Sequence, residues 1–95
     1  MQELQAIYDT RQSFYKKAMI ETQKTDFERT KDLYSYNTLV ASIIWNFEKN
    51  IITYKHFGTF SQTTSRHQKE FFKQAGLTDE EIKKLIKESI LIKEV

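Results

Sequence analysis

The sequence predicts an α+β domain of 95 residues: a small antiparallel sheet of two or three strands, an N-terminal helical segment and two C-terminal helices. Three observations carry that reading. β-Branched and aromatic residues crowd positions 33–57, as half-buried strands require. Hydroxyl-rich and acidic capping patterns follow at 61–68 and 78–81. Apolar residues recur at helical spacing towards both ends of the chain.

In chain order, Leu4, Ile7, Tyr8, Arg11, Phe14, Tyr15 and Ala18 fall on one helical stripe, while residues 17–22 also alternate as a short strand would. Periodicity leaves both readings open. Residues 24–32 are charged, with Phe27 their one apolar side chain, and read as a solvated connection; if 17–22 is a strand, they become its hairpin loop. Over 33–47, Leu33, Leu39, Ala41, Ile43, Trp45 and Phe47 share one parity, and Tyr34, Tyr36, Val40 and Ile44 the other. Two partly apolar faces predict a central strand covered on both sides, or one bent near Asn37 and Thr38. Glu48-Lys49-Asn50 then reads as a tight turn, since Asn tolerates positive φ, and 51–57 returns as the second strand of a hairpin.

Gly58 ends that strand, and Ser61-Gln62-Thr63-Thr64-Ser65 opens a helix, with Thr63, Thr64 or Ser65 as candidate N-caps. Ser65 and Gln68 match a capping box; Phe71, Phe72 and Ala75 form the apolar side, and Gly76 marks the stop. Thr78-Asp79-Glu80-Glu81 is a second capping box, with carboxylates where the macrodipole favours them. The helix after it is expected to bury Ile82, Leu85, Ile86 and Ile90.

The length suits one small domain, 1–95, with one modest core. Without cysteine there is no disulfide framework and no thiolate metal site, so seven Phe, five Tyr and one Trp must supply much of the core. Fifteen basic against thirteen acidic residues leave a net charge of +2, less than a dedicated nucleic-acid binder usually carries. The apolar stretch 39–47 is interrupted by Ser42 and Asn46, so no membrane span is expected. The first residues carry no secretory pattern, and a cytoplasmic location is the expectation. Phosphate-binding glycine motifs are absent, and His56 and His67 lack companions at metal-ligand spacing, so neither cofactor nor metal is predicted.

Arg66 and His67 at a helix start are the sharpest candidates for a site. Free N–H groups there favour an anion, and a cationic side chain opposes the macrodipole unless something negative answers it. A cap accounts for the hydroxyls but leaves Arg66 in need of a partner. Ser61, Thr64 or Ser65 beside His67 would make a nucleophile and base only with an orienting carboxylate and an oxyanion hole. Tyr34, Tyr36 and Tyr54 with Lys55 resemble an aromatic-plus-basic set on which single strands stack, although ordinary cross-strand packing is the leading explanation for them. Lys83, Lys84 and Lys87 interleave with Glu80, Glu81 and Glu88 and mark a solvated helix face.

Ser13-Phe14-Tyr15-Lys16-Lys17-Ala18, then Leu33-Tyr34-Ser35-Tyr36-Asn37-Thr38-Leu39-Val40-Ala41, then Thr63-Thr64-Ser65-Arg66-His67 with Phe71 resemble a family of small proteins encoded by bacteriophages and other mobile elements. Its members share SFYxKA, LYSYNTxVA and TTSRHxxxF in that order, and the likeness covers residues 3–75. It favours the strand reading of 17–22 and implies a glycine where this chain has Lys16. No activity, substrate or cofactor comes with it. Together with the missing catalytic motifs it implies a non-enzymatic accessory protein that binds a host macromolecule, a host protein or a protein–nucleic-acid complex, as counter-defence proteins such as anti-CRISPRs do. Arg66, His67, Lys69, Tyr34 and Tyr36 are the expected contact residues. Alternatives are a nucleic-acid-binding module using the same groups, and a small hydrolase or nucleotide sponge with a pocket at the hydroxyl run. If 17–22 is not a strand beside it, 51–57 is an exposed edge, and a homodimer through it is a further expectation.

Overall fold

The structure, a computed structural model, describes residues 1–95. Six antiparallel strands form one sheet in sequential order: β1 (Gln2–Glu3), β2 (Ala18–Lys24), β3 (Glu28–Ser35), β4 (Thr38–Asn46), β5 (Ile51–His56) and β6 (Ile90–Glu94). Helices α1 (Gln62–Gln74) and α2 (Asp79–Glu88) lie between β5 and β6 in the chain. Their residues Phe71, Phe72, Ile82 and Leu85 join Ala18, Leu33, Ala41, Ile43 and Tyr54 of the sheet in one core. The α+β class stands, but the sheet of two or three strands and the N-terminal helix are both corrected.

The additional strands are β1, a second strand within 33–47, and β6, and β3 also begins earlier than expected. Residues 33–47 are two strands, joined by a turn in which Tyr36 and Asn37 have φ of 50° and 67°. Two consecutive positive φ values make the tight hairpin turn whose twist matches its strands. The apolar residues of both parities thus belong to a strand pair with a register shift at Leu33 and Tyr34. Residues 28–32 are the first part of β3 rather than a solvated connection, and charge is tolerated there because the stems pack on a ring. The Arg29 guanidinium lies 4.3 Å and the Lys31 ammonium 6.0 Å from the Trp45 ring centroid. Finally, α2 ends at Ser89, whose φ of 68° turns the chain into β6. Ile86 and Ile90 therefore stay exposed. β6 pairs with β5 from Ile51↔Glu94 to Lys55↔Ile90, so 51–57 is no edge and cannot join two copies as one.

At the N-terminus, β1 pairs with β2 and residues 4–17 are irregular. Leu4 and Phe14 reach the core, whereas Ile7, Tyr8 and Tyr15 of the supposed helical stripe are exposed. Tyr15 and Lys16 have φ of 53° and 62°, and the Lys17 N–H donates to the Phe14 carbonyl at 3.0 Å, closing a second tight turn. A side chain in this left-handed region is disfavoured. Lys16→Gly is therefore expected to stabilise the fold by about 0.5–1 kcal/mol after its larger unfolded-state entropy is counted. Urea unfolding would show this as a raised midpoint at unchanged slope.

Local signals for the other boundaries are realised with one exception. Asn50, with φ of 55°, closes the turn after β4, and Thr78 and Glu81 form a reciprocal capping box. Gly76, with φ of 92°, follows α1 as the Leu77 N–H bonds back to the Phe72 carbonyl. The N-cap of α1, however, is Ser61 rather than Thr63, Thr64 or Ser65: its Oγ accepts the Thr64 N–H at 3.1 Å. The later hydroxyls have other work.

Candidate anion-binding face

The first two turns of α1 lie beside the end of β3 and its turn into β4. Thr64 and His67, three residues apart, face inward and are buried, while Arg66, Lys69 and Lys73 follow one another along an accessible side of the helix. Under the helix runs a chain of hydroxyls. Ser61 Oγ donates to Thr64 Oγ1 at 3.2 Å, Thr64 Oγ1 lies 2.9 Å from Ser35 Oγ, and Ser35 Oγ lies 2.8 Å from His67 Nδ1. The Phe14 ring meets the imidazole edge-on with centroids 4.7 Å apart, and the Tyr36 ring lies 6.0 Å away. Residues far apart in sequence, 14, 35–36 and 64–67, thus converge on one imidazole.

His67 is 1% exposed. Burial pushes its pKa below the ordinary 6.5, opposed by Asp9 and assisted by Arg11, so the ring is neutral at pH 7. Each hydroxyl owns one proton. A chain running in one direction, from Ser61 to Thr64 to Ser35, ends with the Ser35 proton on His67 Nδ1; the opposite tautomer has Nδ1–H donate to Ser35 and Ser35 to Thr64. In the first arrangement Nδ1 accepts and the neutral ring carries its proton on Nε2, which has no hydrogen-bond partner within the protein. Ser61→Ala removes both the cap and the head of this chain and is expected to cost about 1–2 kcal/mol, read from urea unfolding.

Two clefts open beside this cluster. One, of about 270 Å³, lies between residues 8–10 and α1 and is lined by Arg66, Lys69 and Lys73 with Asp9 and Glu70. The other, of about 90 Å³, is lined by Arg11, Lys17, Arg66, His67 and Tyr36. Arg66 lines both. Its charge is not answered: the ion pairs are Lys73–Asp79 at 3.3 Å and Lys93–Glu81 at 2.8 Å. Glu70, 2% exposed, is already engaged, since its Oε1 accepts the Tyr8 and Asp9 N–H groups at 2.8 Å each and its Oε2 accepts from Gln74.

A family model matches residues 2–89. The chain belongs to DUF8033, a family of unknown function. No curated protein and no solved structure matches it. In this DUF8033 chain, Arg66, Lys69 and Tyr36 stand at the two clefts, the buried His67 ring lines the smaller one, and Tyr34 is half-buried on β3. Tyr34 is out of sequence parity with Leu33 and Ser35, the helix-facing residues of β3, and so belongs to the uncovered side of the sheet. Tyr54 is buried on the helix side, which dissolves the proposed trio of tyrosines. Arg11, Lys17, Glu70 and Ser35 went unnoticed as site residues. Lys17 and Ser35 sit inside the first two motifs, but nothing local to Arg11 or Glu70 marks them. His56 and His67 do not come together, and no group of three or more His, Cys, Asp or Glu side chains could hold a metal ion. No helix is long and apolar enough to cross a membrane.

Proposed function

We infer that this DUF8033 protein is a non-enzymatic accessory protein of phage or mobile-element type, binding a macromolecule in the cytoplasm of its host. Counter-defence inhibition is the role the resemblance favours. The observation that carries the binding face is Arg66: an unpaired guanidinium at the start of a helix, in line with Lys69 and Lys73 and beside Arg11 and Lys17. Such a row selects an acidic surface and steers it electrostatically. The Ser35–His67 pair has the separation of a nucleophile and base, yet Ser35 is 2% exposed and bonded to Thr64, and the ring donates to no carboxylate. That arrangement suits a packed polar cluster better than an acyl-transfer site.

Affinity capture from host lysate is expected to retain one stoichiometric partner on the wild-type chain and to lose it on Arg66→Glu/Lys69→Glu. Retention by that variant would exclude this face. A second reading, single-stranded nucleic acid, is favoured by the exposed rings of Tyr8, Tyr15 and Tyr36 among these cations. It predicts a mobility shift that weakens steeply with salt, and no shift at low salt removes it.

A further inference from the structure

We propose that the smaller cleft is a site for a phosphate group, held by Arg11, Lys17 and Arg66 and by the Nε2–H of His67. All charged side chains lining it are cationic. Asp9 and Glu3 are outside its lining and held on backbone: Asp9 Oδ1 accepts the Arg11 N–H at 2.9 Å and Glu3 Oε2 the Lys16 N–H at 2.7 Å. With the hydroxyl chain from Ser61 through Thr64 and Ser35 running into Nδ1, the imidazole is a donor on its free nitrogen. The imidazole lines the cleft and its Nε2 has no hydrogen-bond partner within the protein, so an anion's oxygen there can accept its proton.

The ligand's shape and charge follow from the arrangement. Arg11 and Lys17 approach from the N-terminal loop, and Arg66 and His67 from α1, so donors converge from two sides on one small volume. About 90 Å³ exceeds several-fold the roughly 10–15 Å³ that admits a single water, and it leaves no room for a base beside the anion. Three cations match a doubly charged tetrahedral oxyanion better than a planar monovalent carboxylate, and guanidinium groups bind phosphate oxygens bidentately. Thr63, also at the cleft, lies in the first turn of α1, where leading N–H groups lack helical partners and favour the same charge. The phosphate is either free or the terminal group of a nucleotide. Neither source requires the macromolecular reading above.

Titration of the ¹⁵N-labelled chain with inorganic phosphate, adenosine 5′-monophosphate and adenosine, in buffers matched with chloride, tests the site. Phosphate and the monophosphate are expected to shift the amides of residues 15–17 and 63–66 saturably, and adenosine to leave them in place. Equal affinities identify free phosphate as the ligand; a tighter monophosphate identifies a nucleotide. Arg66→Gln, whose side chain bonds nothing in the fold, should weaken binding by about tenfold or more, while Lys49→Gln, on the turn after β4, should not. Long-range ¹H–¹⁵N spectra should show His67 protonated on Nε2, with that nitrogen moving on titration. Absence of saturable shifts, their persistence in Arg66→Gln, or a proton on Nδ1 would each overturn the site. Loss of macromolecular capture with phosphate binding intact would count only against the reading in the preceding subsection.

Discussion

Replacing Glu70 with alanine is expected to destabilise the protein by about 3 kcal/mol and to release the N-terminal loop. The carboxylate is buried, and one of its oxygens accepts two successive backbone N–H groups, of Tyr8 and Asp9, more than sixty residues away in sequence. A hydrogen bond to a charged group contributes roughly 1.5–3 kcal/mol, and a buried donor stripped of its acceptor costs about as much. Gln74, four residues on, reinforces the latch by donating to Glu70 Oε2 at 2.8 Å and to the Gln5 carbonyl at 2.6 Å. Glu70→Gln keeps an oxygen in place for the two N–H groups and should lose about half as much. Urea unfolding measures the difference, and amide exchange at Tyr8 and Asp9 should rise locally in the alanine variant. An alanine variant within about 0.5 kcal/mol of the wild type, the range of an ordinary surface substitution, would disprove the latch. Since the loop carries Arg11 and Lys17, phosphate binding should fall with Glu70→Ala and largely return with Glu70→Gln.

His67→Ala is expected to cost about 3 kcal/mol. It removes a buried ring packed edge-on against Phe14, leaves a cavity, and deprives the Ser35 hydroxyl of one partner. The same residue makes stability depend on pH. Burial lowers the pKa of both His67 and His56 below 6.5, so between the folded and unfolded values the unfolded chain binds protons that the native chain refuses. Stability from this source is therefore complete above pH 6.5 and is lost as pH falls through the folded values, at up to about 1.4 kcal/mol per unit for each histidine. Glu81, held low first by its hydrogen bond from Lys93, adds its loss only at and below the ordinary carboxylate value of 4.5. His67→Phe should reduce the decline in urea midpoint between pH 7 and pH 5 by about half, leaving the share of His56. A slope equal to that of the wild type would show that His67 is not excluded from protonation by the fold.

The signals that could be read directly from the chain were those contained within one turn of backbone. Asn50 closes its turn, Gly58 lies just beyond the end of β5, Thr78 and Glu81 cap each other, and Gly76 follows α1. Each depends on a conformational preference or a hydrogen bond spanning at most four residues. The first thirty residues misled because helical spacing at Leu4, Ile7, Tyr8 and Phe14 is a tie that only pairing breaks. Once β1 joins β2 and Glu70 takes the Tyr8 and Asp9 amides, no helix is compatible with the loop. Residues 28–32 misled for the opposite reason: their charge looked solvated, and the ring that shelters Arg29 is Trp45, on the neighbouring strand.

The site divides along the same line. Arg66 drew attention because a cation at a helix start contradicts the macrodipole, a local rule, and the structure leaves it without an ion pair. His67, legible in the chain only as a titratable side chain at a helix start, is a buried ring bonded to the hydroxyl chain at the floor of the smaller cleft.

The α+β class, the positions of three chain reversals and the oddity of Arg66 were legible in the chain alone, because these rest on preferences of neighbouring residues. Only the tertiary structure decided that six strands pair, that Ser61 rather than a later hydroxyl caps α1, and that Arg11, Lys17, Arg66 and His67 share one cleft. Strand pairing and the gathering of like charges depend on contacts between residues tens of positions apart. Their energies arise only when burial, hydrogen bonding and chain closure are satisfied together.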